Sequence, residues 1–256
     1  MSSSERSFKK DSLMVEIYRD RPCMGRAAAA CAAQKMRDLL RERECINVAF
    51  AAAPSQNEFL EALINEDDID WKRVRAFHLD EYLGLPSDAP QRFAVFLDEH
   101  IFGKVDFKEV HYLRGDTGSP EREAQRYADL LRQYPLDIAF IGIGENGHIA
   151  FNDPPVADFA DPCLVKTVWL DEKCRRQQVN DGCFASIDQV PKQALTLTIP
   201  AVMSAQFIYC MVPGKTKTEA VKETIEGEIG THCPATVLRQ HSASILYLDR
   251  DSAGLL

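Results

Sequence analysis

The sequence lacks the features that mark membrane, secreted and metal-dependent proteins. It has no apolar run of about eighteen residues, so it predicts no transmembrane helix. Its first ten residues have no apolar core, so we expect no secretory signal. None of the eight cysteines forms a Cys-x-x-Cys pair, and no Cys/His cluster has zinc-finger spacing. We therefore expect reduced thiols, no metal, no cofactor, no membrane partner and a cytoplasmic location.

Basic residues are also in deficit. Lys and Arg number 30 against 39 Asp and Glu, which gives a formal net charge of −9. This balance argues against nucleic acid or an anionic membrane as partner, because both select basic surfaces. It does not exclude an anionic small substrate, for which a few local basic groups suffice. A homo-oligomer is left open.

The chain is long enough for one α/β domain, and short apolar strands alternate with helical stretches along it. No internal repeat, low-complexity tract or linker divides the 256 residues, so we expect a single domain. This alternation predicts a three-layer sandwich, with a mainly parallel sheet covered by helices on both faces. The predicted strands are 46–50, 74–79, 136–141, 207–212 and 244–248, and the predicted helices are 25–43, 56–65, 91–101, 119–133 and 215–226.

Two segments have weak patterns. Residues 1–20 are interpreted as a flexible N-terminal segment. Residues 154–192 are polar and bounded by prolines, and they lack clear periodicity. A long, poorly patterned segment inside a compact domain is often a lid over a site, and we expect that role here.

The most informative stretch is the glycine-rich loop of residues 142–153, which follows a predicted buried strand. Its Gly-x-Gly-x-x-Gly spacing matches the dinucleotide fingerprint, but Pro154 and Pro155 follow too soon for the helix that this fingerprint needs. We expect the glycines to let the backbone approach a small ligand. The loop then presents His148 and Asp153 to that ligand.

Three strand ends are predicted to build one site, because ligands bind beyond the carboxyl ends of parallel strands. They are the segment Ala51–Gln56, the segment His78–Pro86, which contains Asp80 and Glu81, and the glycine-rich loop. Lys217, at the start of a later helix, offers a cation. Ordinary structural roles stay open: Asp80 or Glu81 caps a turn, His148 is a satisfied structural histidine, and Lys217 lies on a solvated helix face.

At these residues the chain resembles the glucosamine-6-phosphate deaminase (isomerase) family. The segment Phe77–Pro86 is similar to a strand-end motif of that family, and the segment Gly142–Pro154 is similar to its catalytic loop. Weaker similarity continues through 189–196 and 214–217. The resemblance implies a Rossmann-like α/β fold, shared with 6-phosphogluconolactonases, and an enzyme that needs no metal or organic cofactor.

The resemblance also implies roles for individual residues. Asp80 is the expected base that moves a proton between C2 and C1 of the open-chain sugar. His148 is expected to help open the pyranose ring, assisted by Asp153 and Asn146. The expected substrate and phosphate contacts are Ser55, Gln56, Lys217, Gly144 and Gly147.

The chain departs from the family pattern at three places that matter for function. The family usually has Glu at the position of Asp153, many members have Asp at the position of Asn146, and the Gly- and Thr-rich phosphate loop is here Ala52–Gln56. The preferred function is conversion of glucosamine 6-phosphate to fructose 6-phosphate and ammonia. The alternatives are a 6-phosphogluconolactonase-type hydrolase, a non-catalytic sugar-phosphate-binding protein, and a deaminase acting on an epimer such as galactosamine 6-phosphate.

Overall fold

The computed structural model describes residues 4–256. Their strands are β1 (Arg6–Lys10), β2 (Leu13–Tyr18), β3 (Ile46–Phe50), β4 (Val74–His78), β5 (Asp80–Tyr82), β6 (Glu109–His111), β7 (Ile138–Ile141), β8 (Val165–Trp169), β9 (Gln193–Leu197), β10 (Phe207–Val212) and β11 (Ser244–Asp249). Their α-helices are α1 (Arg21–Glu42), α2 (Asn57–Ile64), α3 (Phe93–Leu97), α4 (Pro120–Gln133), α5 (Glu172–Asn180), α6 (Ile199–Met203) and α7 (Thr218–Glu226). Within this range no helix is both long and apolar enough to cross a membrane.

Eight strands form one sheet in the order β1-β2-β11-β10-β7-β3-β4-β6, and only β1 runs antiparallel to its neighbour. Alternate strand side chains enter two separate cores. One core contains Phe50 and Phe140 with the apolar faces of α1 and α2. The other contains Phe77 and Ile141 with α4, α6 and α7. The predicted three-layer α/β sandwich with a mainly parallel sheet is thus confirmed.

Within residues 4–20, the N-terminal segment forms two strands that its sequence pattern did not predict. Strands β1 and β2 form an antiparallel pair, and β2 continues the main sheet by pairing in parallel with β11. The physical reason is the alternation of Leu13, Val15 and Ile17, whose side chains are all buried in the core. The first twenty residues therefore include the two strands at one edge of the sheet.

The segment 154–192 is more regular than its composition suggests. It contains β8 and α5, and Asp171 caps α5 by accepting a hydrogen bond from the Lys173 N–H. Strand β8 pairs with β9 in a second, three-stranded antiparallel sheet of order β5-β9-β8. The expectation of weak structure is wrong for these elements, whereas the lid role stays a prediction.

The second sheet also divides the strand predicted at 74–79. Strand β4 ends at His78 in the main sheet, and β5 begins at Asp80 in the small sheet. His78 is fully buried, and its Nε2 accepts a hydrogen bond from the Leu113 N–H. The change of sheet at Leu79 therefore leaves His78 in the core and sends Asp80 toward the carboxyl edge of the main sheet.

Candidate active site

A cavity of about 310 Å³ lies at the carboxyl ends of β3, β7 and β10. These three parallel strands are neighbours in the sheet, so the loops that follow them converge at one edge. The cavity is lined by parts of all three loops, by Asp80 and by residues from α1 and α5. The strand ends that the sequence singled out are brought together here.

The glycines of the loop after β7 serve packing within the protein. A Cβ on Gly144 would lie 2.0 Å from Cε1 of His148, so the imidazole ring needs a glycine beneath it. Gly147 has a φ of 82°, and a Cβ there would lie 2.4 Å from the sulfur of Cys233. Gly144 lines the cavity and Gly147 does not, so the structure shows a packing role for Gly147, and the substrate contact expected of it stays a prediction.

His148 is held from behind by two side chains of its own loop. Its Nδ1 lies 2.7 Å from Asn146 Oδ1 and 3.0 Å from Asp153 Oδ1. Because both partners are acceptors, Nδ1 carries the hydrogen of the neutral ring, which leaves Nε2 as the nitrogen available to the cavity. Asn146 Nδ2 also donates to Asp153 Oδ1 at 2.9 Å, which closes the cluster.

Asp153 is fully buried and does not line the cavity. Burial acts to raise the pKa of its carboxyl group, but hydrogen bonds from His148, Asn146 and the Asp171 N–H hold that pKa below its usual range. Asp153 therefore stays ionised behind the imidazole. Asn146 is likewise absent from the cavity wall, so both residues are positioned to act through His148.

Asp80 and Glu81 are adjacent but have different environments. Glu81 is fully buried and accepts hydrogen bonds from the N–H groups of Phe93 and Ala94, at the start of α3. The capping role left open for this pair therefore belongs to Glu81. Asp80 lines the cavity, and burial, reinforced by the negative charges of Glu81 and Asp153, raises the pKa of its carboxyl group well above the usual range.

The cavity is also lined by Lys217 and the segment Ala51–Gln56. Lys217 is buried, not solvated, and burial lowers its pKa although the charges of Asp181 and Glu145 oppose that shift. Ser55 lies in a 3₁₀ turn that leads directly into α2. A buried cation beside a helix start is a suitable environment for an anion.

Gln56 contributes differently from what the sequence suggested. Its backbone N–H already donates to the Ala53 carbonyl at 2.9 Å. Its side-chain Nε2 donates to Ser55 Oγ at 3.1 Å and to the Met211 carbonyl at 3.5 Å. Gln56 lines the cavity, but its donors are engaged within the protein, and its side chain orients Ser55.

Several cavity residues were not anticipated from the sequence: Arg21, Gln177, Gln178 and Asp181. Arg21 makes a bidentate ion pair with Glu58 and donates to the Pro54 carbonyl at 2.8 Å, which fixes the loop after β3. The sequence pattern that could have identified Arg21 is the helix start Asp20–Arg21–Pro22, because it combines an N-cap aspartate with a proline and follows a strand. Gln177, Gln178 and Asp181 belong to the segment 154–192, for which a lid was expected, but no sequence signal distinguished them within it.

A family comparison agrees with this geometry. The model of the family described as glucosamine-6-phosphate isomerases/6-phosphogluconolactonase matches residues 19–247. The chain belongs to this family.

Relatives within the family are similar over most of their length. A glucosamine-6-phosphate deaminase of Exiguobacterium sibiricum is 36% identical over 219 residues, which cover 86% of this chain and 84% of the relative. One of Listeria monocytogenes is 35% identical over 211 residues, covering 82% and 88%. The solved structure of a monomeric glucosamine-6-phosphate deaminase matches with a TM-score of 0.86 at 30% identity, covering 94% of this chain and 99% of that one.

A solved structure of lower sequence identity shares the fold. The 6-phosphogluconolactonase of Thermotoga maritima matches with a TM-score of 0.75 at 20% identity, covering 93% of this chain and 99% of that structure. The description of the family itself names two chemistries, and the choice between them depends on the side chains in the cavity.

Proposed function

We propose that the protein is a glucosamine-6-phosphate deaminase, which converts glucosamine 6-phosphate to fructose 6-phosphate and ammonia. The observation that carries this proposal is one cavity lined by a buried carboxylate, Asp80, by an imidazole backed by a carboxylate, His148, and by a buried cation, Lys217. The names of the relatives at 35–36% identity support the same activity.

Substrate binding is assigned to the side of the cavity that contains Lys217. The 6-phosphate accepts hydrogen bonds from Lys217 and from the Ser55 hydroxyl and backbone N–H, beside the start of α2. Anchoring the sugar by a group remote from C1 and C2 places the reacting carbons near Asp80 and His148. The altered loop Ala52–Gln56 retains Ser55 as a donor although it lacks the glycines of the family pattern.

Ring opening is assigned to His148. Its Nε2 exchanges the proton that must move between the C1 hydroxyl and the ring oxygen when the pyranose opens to the aldehyde. An imidazole performs this exchange near neutral pH, and the Asp153 carboxylate stabilises the imidazolium that forms.

Isomerisation is assigned to Asp80. In the open-chain sugar its carboxylate removes the C2 proton while the aldehyde oxygen takes up a proton, which gives an enolamine, and Asp80 then gives its proton to C1. The product is an iminium at C2, which water hydrolyses to the ketone with release of the nitrogen as ammonium. A largely buried carboxylate suits this step because little water competes for the proton.

The proposal is tested by measuring ammonia release from glucosamine 6-phosphate, galactosamine 6-phosphate and unphosphorylated glucosamine, together with hydrolysis of 6-phosphogluconolactone. We expect ammonia and fructose 6-phosphate from glucosamine 6-phosphate and no lactone cleavage. Lactone cleavage without ammonia release identifies the hydrolase instead. Saturable binding of the sugar phosphates without turnover identifies a binding protein, and preferential turnover of galactosamine 6-phosphate reassigns the epimer.

A further inference from the structure

Three side chains with metal-ligating atoms meet at the Nδ1 side of the His148 ring, and two of them, Asp153 and Cys174, do not line the cavity. They are His148 and Asp153 from the loop after β7 and Cys174 from α5. One donor atom from each, namely Nδ1, a carboxylate oxygen and Sγ, lies within 4.8 Å of the other two. It is the single group of three such side chains found within residues 4–256. The chemistry assigned above to the active site uses Nε2 of His148 and does not involve the thiol.

All three side chains are buried: His148 is 8% exposed, Cys174 is 1% exposed and Asp153 is 0% exposed. Burial limits competition from bulk water for any ion held between them. The two segments are also fixed to one another, since the Asp171 N–H donates to Asp153 Oδ2 at 3.1 Å and the Glu145 N–H donates to Gln177 Oε1 at 2.8 Å. The donor atoms are therefore held together by the fold before any ion arrives.

The donor set indicates the class of ion. Imidazole nitrogen, carboxylate oxygen and thiolate sulfur are the three ligand types of tetrahedral Zn²⁺ sites, with bonds of roughly 2.0–2.3 Å. Three protein ligands leave a fourth position open. A thiol excludes Mg²⁺ and Ca²⁺ as preferred ions, because both select oxygen ligands.

We propose that His148, Asp153 and Cys174 form a binding site for Zn²⁺ or a similar thiophilic divalent cation, and that the bound ion inhibits the enzyme. Coordination at Nδ1 displaces the proton from that nitrogen and fixes the remaining ring proton on Nε2. The imidazole then has no free nitrogen with which to accept a proton from the sugar. The ion also links α5 to the catalytic loop. The binding part of this proposal is independent of the deaminase assignment, and the inhibition part rests on it.

Binding is tested on the full chain, reduced with a phosphine and freed of metal, by equilibrium dialysis with zinc alone. Cys174→Ser removes the sulfur ligand. Cys183→Ser is the matched control, because it removes a partly buried thiol from the same segment but outside the cluster. We expect one Zn²⁺ per wild-type chain, the same in the control, and affinity at least about tenfold weaker in Cys174→Ser. Equal zinc affinity in all three proteins overturns the proposal.

A second measurement uses the wild type, so the test does not depend on the folding of a variant. Co²⁺ added to the metal-free protein should give an intense tetrahedral spectrum with a thiolate-to-metal charge-transfer band, and Zn²⁺ should abolish it. A spectrum without the thiolate band excludes Cys174 as a ligand and overturns the site.

Inhibition is tested by steady-state ammonia release at increasing zinc concentration. Because the proposed ion lies behind the imidazole and outside the cavity, we expect kcat to fall with little change in KM, and a chelator to restore it. Inhibition that saturating substrate relieves places the ion in the cavity and contradicts the proposal. If the protein releases no ammonia at all, the function proposed above fails, whereas the dialysis and Co²⁺ results still decide the binding site.

Discussion

The carboxylate proposed as the catalytic base is held in an environment that opposes its charge. Asp80 is buried, and its neighbours Glu81 and Asp153 add negative potential, so the raised pKa follows from burial first and like charge second. A carboxylate of raised pKa is a stronger base, which suits removal of a proton from carbon. The same environment means that ionisation of Asp80 lowers the free energy of unfolding.

Asp80→Asn is therefore expected to separate activity from stability. Loss of the base should lower kcat by at least about a hundredfold. The raised folded-state pKa means that the stability linked to Asp80 is present below the unfolded pKa and decreases as pH rises toward the folded value. At neutral pH the variant should thus unfold at a higher temperature than the wild type, and this difference should shrink on acidification.

Thermal unfolding between acidic and neutral pH, combined with ammonia-release kinetics, checks both parts. Wild-type turnover in Asp80→Asn removes Asp80 from the mechanism. A variant that is less stable than the wild type at neutral pH contradicts the electrostatic account of the site.

His148 and Asp153 are expected to act as one unit, because their side chains are in direct contact at 3.0 Å. His148→Gln should impair turnover of the closed sugar more than isomerisation of an open-chain analogue. Adding Asp153→Asn to His148→Gln should cost much less than Asp153→Asn costs in the wild type, since the carboxylate acts through the imidazole. Kinetics of the two single variants and the double variant test this, and additive losses mean that the residues are not coupled.

At the scale of elements, α5 contacts the loop after β7 and also lines the cavity. Gln177 of α5 accepts a hydrogen bond from the Glu145 N–H, and Asp181, just beyond α5, lines the cavity with Lys217. The helix thus touches both regions assigned to the substrate. We therefore expect a bound ligand to add contacts to α5 and to slow its local opening.

Residues 154–192 should therefore exchange amide hydrogens more slowly when a substrate analogue is bound. The effect should be largest in α5, whose residues line the cavity, while β10 serves as an internal control because it is buried in the main sheet. Hydrogen exchange followed by mass spectrometry measures both. Strong protection of α5 without ligand, unchanged on binding, makes the segment ordinary structure.

Elements were predictable where one physical signal dominated. The buried parallel strands β3 and β10 have the predicted bounds, because their apolar runs are continuous. Strand β8 was missed because its exposed Trp169 and polar Lys166 and Thr167 hide its pairing with β9. The motifs identified Asp80 and His148, whereas Gln177 and Asp181 enter the cavity only through tertiary packing of α5, which sequence periodicity does not encode.

At the scale of the whole molecule, the charge balance opposes the proposed substrate. The chain has a formal net charge of −9, so its overall field repels a phosphorylated sugar. Recognition must therefore be local, and exposed charges more than about 8–10 Å away are largely screened at ordinary ionic strength.

The homo-oligomer and the cytoplasmic location stay predictions; the similar solved deaminase is described as monomeric.

Two lysines on neighbouring turns allow the effect of a charge inside the cavity to be separated from the effect of the net charge of the protein. Lys217 is buried in the cavity wall, whereas Lys222 is exposed on α7 and pairs with Glu226 at 3.8 Å. Lys217→Ala and Lys222→Ala change the net charge equally. If recognition is local, Lys217→Ala should raise KM for glucosamine 6-phosphate by about tenfold or more with a smaller loss in kcat, because it removes a charged hydrogen bond to the phosphate.

Lys222→Ala should leave KM nearly unchanged, and Ser55→Ala should raise it less than Lys217→Ala does, because a neutral hydroxyl contributes less than a charged partner. Steady-state kinetics of the three variants measure these differences. Equal rises in KM for the two lysine variants would mean that the overall field governs binding. Wild-type turnover of unphosphorylated glucosamine as efficient as that of its 6-phosphate would mean that the loop Ala52–Gln56 and Lys217 do not recognise phosphate, since the remaining contacts would then suffice.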